Sequence, residues 1–285
     1  MSDSFIGSWL VSEYVYDPDG SPVGVVKQRR QLERLSGGRL RVIQDCEPAP
    51  SLSGHPMERF AGHHEFTLSV EDNLRRYGGP AVIGSGLALG PKAIVGRGMW
   101  PNFGHNFTSY GVVPAMQLQL TGGKFFVASE MVANVVGVAI PDGGDDAWPT
   151  LTGPEWPGEV SPSWAGQASV VTTRGAVVAR HEVVRDYRPG AFEERSDAGT
   201  LRVTLESGLG GYQLTGYHAG QAQRGVAKRY GPLLESEWVR DEGVVVDAME
   251  VLDGARGHLV CVERLHRDHV VHGYRVVCLR PSGAA

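Results

Sequence analysis

Short apolar segments with strand-like alternation recur along the chain, and clusters of Gly, Pro, Asp and Ser separate them. Residues 9–16 form one such segment, which ends at a turn that contains Pro and Gly. Residues 65–70 alternate between apolar and polar as a half-buried strand does, and the second half of the chain repeats this pattern. Helical periodicity is weak, and residues 70–77 are the best candidate for a helix. The pattern predicts an all-β protein with little helix, built from antiparallel strands.

A Gly-rich triplet near the middle of the chain indicates a hairpin. Thr121-Gly122-Gly123 separates an apolar segment at residues 116–120 from a longer one at residues 124–137. Two apolar segments separated by a short Gly-containing stretch are typical of a β-hairpin. We therefore expect a turn at residues 121–123, followed by one continuous strand.

Two ten-residue segments resemble each other across the two halves of the chain. Residues 33–42 and 194–203 agree at six of ten positions, at an offset of 161 residues. Between the halves, residues 141–164 are rich in Pro, Gly and Asp, which indicates a connection between domains. The sequence predicts two related domains in tandem, residues 1–150 and 151–285, each a β-barrel or a half-barrel.

The composition argues against several classes of partner. The net charge is −5 and no basic stripe is present, so nucleic acid is not an expected partner. No apolar run reaches 18 residues and no signal peptide is recognised, so we expect no membrane span. The widely spaced Cys46, Cys261 and Cys278 indicate reduced thiols and a cytoplasmic protein. The oligomeric state stays open, with a homodimer as one option.

The first predicted strand opens with Gly7-Ser8-Trp9, which resembles the Gly-x-Trp start of lipocalin-like (calycin) barrels, whose Trp plugs one barrel end. Two such halves in one chain resemble the double-lipocalin proteins, which include relatives of carotenoid hydratases and cyclases of polyketide pathways. The resemblance implies two lipocalin-like antiparallel barrels in tandem. In the second half the order of the motif is inverted around Trp164. An incomplete second barrel is therefore an alternative to a closed one.

Residues 96–110 form the segment that is richest in polar and aromatic side chains, and Gly and Pro interrupt it. Such a segment suits a loop at the mouth of a cavity, where His can transfer protons near neutral pH and Asn or Tyr can hold a developing oxyanion. The alternative is an ordinary loop packed by its aromatic residues. We predict that His105 is catalytic. The predicted substrate-binding residues of this segment are Trp100, Asn102, Asn106 and Tyr110.

Glu130 is a second candidate for a catalytic acid or base. Counted by twos along residues 125–138, Glu130 shares one strand face with Asn134. If this face lines a barrel interior, burial raises the pKa of the Glu130 carboxyl group and suits it to proton transfer, with Asn134 binding the substrate. The alternative places Glu130 on the outer face of the barrel.

The tripeptide His63-His64-Glu65 contains metal-ligating side chains, but a strand directs His63 and Glu65 to one face and His64 to the other. Zinc and iron sites need a third ligand, which the sequence does not nominate, so no metal is expected. His64 is instead predicted to bind substrate. The sequence lacks motifs for nucleotide, flavin and Cys-based zinc binding, so no cofactor is expected.

These features leave two functional classes open. The first is a cofactor-independent enzyme, in which His105 or Glu130 transfers protons on a largely apolar substrate; it would be a cyclase, isomerase or hydro-lyase of a specialised-metabolite pathway such as antibiotic biosynthesis. The second is a non-catalytic binding or carrier protein that holds a hydrophobic small molecule in the same cavity. The cluster of polar side chains at residues 96–110 favours the enzyme.

Overall fold

The computed structural model describes residues 3–144, 147–152, 163–208, 210–218, 221–240 and 243–283. Strands make up 72% of the structure and helices 4%. Within the described ranges, the strands form two closed antiparallel barrels of ten strands each. The predicted all-β fold with two barrels in tandem is therefore confirmed. The chain divides into two compact units, residues 1–151 and 152–285, with one barrel in each.

The N-terminal barrel is a meander in which each strand pairs with the next. Its strands are β1 (Gly7–Tyr16), β2 (Pro22–Arg34), β3 (Arg39–Pro48), β4 (Gly62–Glu71), β5 (Leu74–Gly78), β6 (Ile83–Leu89), β7 (Ala93–Trp100), β8 (His105–Ala115), β9 (Leu118–Val127) and β10 (Glu130–Pro141). β1 pairs with β10 as well as with β2, which closes the sheet. At this closure Trp9 lies opposite Pro141.

The C-terminal barrel has the same connectivity. Its strands are β11 (Ser163–Thr172), β12 (Val177–Arg188), β13 (Ala191–Ser196), β14 (Gly199–Gly208), β15 (Gly211–His218), β16 (Gln221–Tyr230), β17 (Leu233–Val239), β18 (Val245–Asp253), β19 (His258–Arg267) and β20 (Val270–Pro281). β11 pairs with β20, and Trp164 lies opposite Pro281 as Trp9 lies opposite Pro141. The second barrel is therefore complete, although its first strand lacks the Gly-x-Trp order.

The hairpin expected at residues 121–123 is wrong, because β9 runs through this triplet without a turn. Close packing explains the two glycines. A Cβ atom on Gly122 would lie 2.5 Å from the hydroxyl oxygen of Tyr110, and one on Gly123 would collide with the carbonyl oxygen of Thr108. The glycines make room for neighbouring strands instead of reversing the chain.

The hairpin turns on either side of β9 contain no glycine. They lie at residues 116–117 and 128–129, where Gln117 and Ala128 adopt φ values of 65° and 54°. Few residues other than glycine adopt this left-handed conformation, so the sequence pattern does not mark these turns. Residues 125–138 therefore form the end of one strand and the start of the next, and Glu130 is the first residue of β10.

The helix considered for residues 70–77 is also wrong, because these residues form the hairpin of β4 and β5. Asp72 at the turn has a φ of 51°, a conformation that Asp tolerates better than most residues. The helical segments of the N-terminal barrel are short 3-10 turns at Asp3–Phe5, Pro50–Leu52 and Pro56–Phe60. None of the helical segments within the described ranges has the length and apolarity of a membrane span.

The ten-residue match between the halves does not join equivalent strands. Residues 33–42 lie on β2 and β3, the second and third strands of their barrel, whereas residues 194–203 lie on β13 and β14, the third and fourth strands of theirs. The two barrels share their topology, but the ten-residue match does not align equivalent strands of the two barrels.

The connection between β3 and β4 packs over one end of the N-terminal barrel. Its side chains Leu52, Met57 and Phe60 are buried in the barrel core. Two hydrogen bonds between distant parts of the chain hold it in place: the Ala49 N–H donates to the carbonyl oxygen of Val25 at 2.8 Å, and the Arg59 guanidinium to that of Phe103 at 3.1 Å. This end of the barrel is therefore covered.

Candidate functional site

The interior of the N-terminal barrel contains a cavity of about 210 Å³, whereas the interior of the C-terminal barrel contains one of about 30 Å³. A water molecule needs roughly 10–15 Å³ of such volume. The smaller cavity therefore holds no more than a few water molecules, while the larger one has room for an organic molecule. The candidate ligand site lies in the N-terminal barrel.

Apolar and aromatic side chains form most of the cavity wall. The rings of Trp100 and Phe125 border the cavity and lie 5.3 and 5.2 Å from the ring of Phe60, in edge-to-face arrangements. Further apolar side chains that border the cavity are Val26, Leu32, Val42, Met57, Phe66, Leu68, Val82, Ile94, Phe107 and Val135. Such a wall favours an apolar ligand.

Strand alternation places polar side chains among these apolar ones. On β2, Val26, Gln28, Arg30 and Leu32 all border the cavity, so they share the inward face of the strand. Glu13 borders the cavity from the neighbouring strand β1. Polar and charged groups thus enter an interior that is otherwise apolar.

Four of these polar residues form a hydrogen-bonded group that we name the Glu13 network: Glu13, Gln28, Arg30 and Gln44. The Arg30 guanidinium donates to Glu13 Oε1 at 3.1 Å and to the amide oxygen of Gln28 at 2.8 and 3.0 Å. The amide nitrogen of Gln28 donates to Glu13 Oε2 at 2.8 Å. Gln44 Nε2 also donates to the Gln28 oxygen, at 3.2 Å. The network satisfies polar atoms that would be unfavourable if buried alone.

Burial raises the pKa of the Glu13 carboxyl group, while the charge of Arg30 and the hydrogen bonds from Arg30 and Gln28 act in the opposite direction. A carboxyl group with a raised pKa can exchange a proton closer to neutral pH than an exposed one. Burial also raises the pKa of the Cys46 thiol on the same wall, to about 12. This thiol stays protonated at neutral pH and is therefore a poor nucleophile.

Tyr77 and Ser109 form a second polar pair on the cavity wall. Burial raises the pKa of the Tyr77 hydroxyl, whereas the charge of Arg30, a hydrogen bond with Ser109 and the charge of Arg75 lower it. A Cβ atom on Gly96 would lie 2.8 Å from both the Tyr77 and the Ser109 hydroxyl oxygens. Gly96 therefore makes room for the pair.

Two further polar side chains on β9 border the cavity and lack a hydrogen-bond partner among the described residues. They are Thr121, unpaired at Oγ1 and 7% exposed, and Gln119, unpaired at Nε2 and 2% exposed. A Cβ atom on Gly137 would lie 2.8 Å from Thr121 Oγ1 and 2.9 Å from Glu13 Cγ, so Thr121 adjoins the Glu13 network. Thr121 Oγ1 and Gln119 Nε2 have almost no accessible surface, so a rotation of the side chain is needed to present either of them to a ligand.

Of the residues predicted from the sequence, Trp100 and Tyr110 border the cavity. Trp100 is the last residue of β7 and packs edge-to-face on Phe60. The hydroxyl group of Tyr110 lies over Gly122 on the neighbouring strand.

His64 and His105 are buried, but neither borders the cavity. His64 Nε2 forms a hydrogen bond with the carbonyl oxygen of Phe60 at 3.0 Å, and His105 Nδ1 with that of Phe103 at 2.9 Å. Burial lowers the pKa of His105, against the effect of its hydrogen bond to Phe103. His105 Nε2 has no hydrogen-bond partner in the described part of the chain. The His105 ring is thus a neutral component of the aromatic packing at this end of the barrel.

The other predicted site residues do not meet at the cavity. Glu130, Asn102 and Asn106 are exposed, and Asn106 Nδ2 donates to the carbonyl oxygen of Ala128 at 3.3 Å. Asn134 is buried, but the following residue on β10 borders the cavity, so Asn134 belongs to the opposite face. The turn at residues 128–129 and a bulge in β10 change the register that counting by twos assumes. The structure therefore does not bring His105 and Glu130 together at the cavity.

His63 and Glu65 lie on the exposed face of β4 and His64 on the inner face, as strand alternation requires. His63 Nδ1 forms a hydrogen bond with Asp45 at 2.7 Å, and Glu65 accepts two from Arg41 at 2.8 and 2.7 Å. The described residues contain no group of three or more His, Cys, Asp or Glu side chains that could hold a metal ion.

Charged side chains fill part of the interior of the C-terminal barrel. Arg185 donates to Glu194 at 3.1 and 2.5 Å and to the Tyr187 hydroxyl at 3.1 Å, and it pairs with Glu250. Arg275 links Glu194 to a further buried carboxylate. We name this group the Arg185 network: Arg185, Tyr187, Glu194, Glu250, Glu263 and Arg275. The barrel's own side chains occupy its interior, which leaves little cavity.

No sequence motif marks the Glu13 network, although β2 carries a signal. Gln28 and Arg30 have the same strand parity as Val26 and Leu32, so polar residues interrupt an otherwise apolar face. The opposite face of β2 is also partly polar, so the pattern within this strand does not reveal which face points inward.

No protein-family model and no curated protein matches the sequence. Among solved structures, a protein of unknown function from the DUF3598 family of Nostoc punctiforme matches 98% of this chain and 97% of its own, at 12% identity and a TM-score of 0.53. This similarity shows a shared fold. A structure from Bacteroides fragilis aligns with 99% of this chain and 100% of its own at 8% identity, and its TM-score of 0.24 carries no structural argument.

Proposed function

We propose that the N-terminal barrel binds a small, largely apolar molecule in its cavity and that the Glu13 network contacts the polar group of this ligand. The main support for this proposal is the composition of the cavity wall. Aromatic and aliphatic side chains form most of the wall, and a few hydrogen-bonding side chains interrupt them. Ligand pockets combine apolar burial with a small number of polar contacts that fix the orientation of the ligand.

The proposal includes a lipocalin-like (calycin) relationship. Trp9 is buried near the start of β1, and the barrel closes around a cavity. Each barrel has ten strands where lipocalins have eight, so the proposed relationship depends on Trp9 and the cavity. The expected cytoplasmic location and the expected absence of nucleic-acid and membrane partners stay predictions.

A bulky side chain in the cavity should block binding. Val135 borders the cavity and is 1% exposed, so Val135→Trp places an indole ring in the space that a ligand would occupy. We expect the uncharged fluorescent dye N-phenyl-1-naphthylamine to bind the wild-type protein. We expect Val135→Trp to weaken this binding by about tenfold or more, because the dye loses apolar burial. Fluorescence titration measures both affinities.

Val178→Trp is the matched control, because Val178 on β12 is 63% exposed and the same ring there reaches solvent. Its dye affinity should equal that of the wild type. Circular dichroism and urea unfolding establish that both variants are folded. A wild-type protein that does not bind the dye, or equal affinity in Val135→Trp, would contradict the proposal.

Acid–base catalysis in the same cavity is the second candidate function. The raised pKa of Glu13, next to a wall suited to an apolar molecule, favours it. In this version Glu13 transfers a proton in a cyclase, isomerase or hydro-lyase reaction without a cofactor, and Arg30 and Gln28 hold its carboxyl group in place. Glu13 then has the proton-transfer role that the sequence predicts for His105 and Glu130.

The catalytic version predicts a separation of turnover from binding. Glu13→Gln keeps the shape of the side chain but removes the proton-transfer group, so turnover should fall about 10²–10⁴-fold while dye binding is retained. Glu65→Gln replaces an exposed carboxyl group of the same barrel and should retain full turnover. Assays on substrates that the wild-type protein converts provide the measurement. Full turnover in Glu13→Gln would leave Glu13 without a catalytic role.

A further inference from the structure

We infer that the cavity selects an uncharged ligand that carries a hydroxyl or carbonyl oxygen and that it discriminates against carboxylates. The inference rests on the proposed binding function and adds the chemical class of the ligand. Three features carry it: the charges on the cavity wall, its unpaired hydrogen-bonding groups, and the position of a buried arginine outside it.

The cavity wall has no spare positive charge. Among the described residues that border the cavity, the acidic and basic side chains of the Asp, Glu, Lys and Arg types are Glu13 and Arg30. They lie 3.1 Å apart, and each side chain is 16% exposed. Arg30 also donates two hydrogen bonds to Gln28. A ligand carboxylate would meet a guanidinium that is already paired and would approach the carboxylate of Glu13. Burial of a charge without its own partner is strongly unfavourable.

The unpaired groups on the wall suit a neutral oxygen. Gln119 Nε2 is a donor, and Thr121 Oγ1 both donates and accepts. Both atoms are buried and lack partners within the described ranges. Once a side-chain rotation turns these atoms toward the cavity, a carbonyl oxygen can accept from either group, and a hydroxyl group can also donate to Thr121. A pure hydrocarbon would leave both groups unpaired, which is unfavourable for buried polar atoms.

Arg75 is a further buried cation of this barrel, and it lies outside the cavity wall. It is 0% exposed, and its Nε and Nη2 atoms have no partner among the described residues. Its Nη1 atom donates to the carbonyl oxygens of Asp72 and Leu74 at 2.9 and 3.0 Å, which holds the guanidinium at the turn between β4 and β5. Because Arg75 does not border the cavity, a ligand carboxylate there has no direct contact with it.

The test is displacement of N-phenyl-1-naphthylamine from the full chain by ligands with the same ten-carbon skeleton. The ligands are 1-decanol, 2-decanone, decane and ionised decanoate, at a pH where the decanoate is fully charged. We expect decanol and decanone to displace the dye at concentrations about tenfold lower than decanoate. Thr121→Val removes the hydroxyl group at nearly constant volume. It should weaken the binding of decanol and decanone by about three- to tenfold relative to that of decane, which has no polar group to lose a contact.

Each alternative result has a defined meaning. Tighter binding of decanoate than of decanol overturns the inference. If Arg75→Gln then abolishes the binding of decanoate, Arg75 forms an anion site. Equal displacement by all four ligands, or unchanged decanol affinity in Thr121→Val, also overturns the inference but leaves the proposed binding function intact. A dye that does not bind the wild-type protein contradicts the binding function and, with it, the ligand class.

Discussion

Replacement of Arg185 by methionine is expected to destabilise the C-terminal barrel by about 3–5 kcal/mol. The side chains of Arg185, Glu194 and Glu250 are 3%, 6% and 8% exposed, and Arg185 pairs with both carboxylates. Methionine retains most of the apolar contacts but carries no charge, so each carboxylate loses a buried partner. The free-energy cost comes chiefly from Glu250, which loses its ion-pair partner, whereas Glu194 keeps its pair with Arg275.

Hydrogen exchange followed by mass spectrometry measures the protection of backbone amides in each barrel separately. Protection in Arg185→Met should fall along β11–β20 and stay at the wild-type level along β1–β10. Arg41→Met is the matched control, because Arg41 and Glu65 form a pair whose side chains are 39% and 44% exposed. Its cost should be below about 1 kcal/mol. Equal losses of protection in the two variants would show that the burial of the Arg185 network adds nothing to the stability of the barrel.

The same network makes the stability of the C-terminal barrel depend on pH. Burial raises the pKa of Glu194, but the charges of Arg185 and Arg275 outweigh it and lower the pKa from 4.5 to about 2. A carboxyl group whose pKa is lower in the folded state stabilises the fold above its unfolded pKa and loses this contribution as the pH falls through its folded pKa. Wild-type protection should therefore decrease between about pH 5 and pH 2. In Arg185→Met this decrease should be smaller.

Phe60→Ala is expected to destabilise the N-terminal barrel by about 3–5 kcal/mol, the usual cost of removing a buried aromatic ring. Phe60 is 6% exposed, and its ring contacts those of Trp100, Phe103 and Phe125. Phe60 belongs to the connection that covers one end of the barrel, so its loss also opens the cavity there. The dye should therefore dissociate faster from Phe60→Ala than from the wild type.

Hydrogen exchange and stopped-flow fluorescence measure the two effects of Phe60→Ala. Protection should be lost along β1–β10 and retained along β11–β20. Met116→Ala serves as the control, because Met116 is 90% exposed at the turn between β8 and β9 and its truncation removes no buried contact. Unchanged dye dissociation from a destabilised Phe60→Ala barrel would mean that ligands enter the cavity elsewhere.

Strand alternation was sufficient to predict the all-β fold, but glycine was an unreliable guide to the turns. Gly37 and Gly38 adopt φ values of 69° and 70° between β2 and β3, as a glycine-rich turn should. Gly122 lies within β9, and this position holds a glycine because the hydroxyl group of Tyr110 occupies the space of a Cβ atom. Whether a glycine reverses the chain or makes room for a neighbour depends on its cross-strand partner, and that partner is distant in sequence.

The aromatic part of the candidate site was easier to predict than its polar part. Trp100 lies in a segment whose composition indicated a cavity, and it borders one. Glu13 and Thr121 are far apart in the chain and become neighbours only because β1 pairs with β10 and β10 with β9. Local sequence contains no information on this closure, so the role of the Glu13 network emerges only from the pairing of the strands.

The pairing of β1 with β10 has a consequence for the synthesis of the chain. The last strand of the N-terminal barrel ends at Pro141, and the first strand of the C-terminal barrel begins at Ser163. All strands of the first sheet therefore leave the ribosome before any strand of the second. A sheet that closes at this stage has both edges paired and presents no template to the strands that follow. Closure of the first sheet at this stage would keep two barrels of the same topology from exchanging strands while the protein is being made.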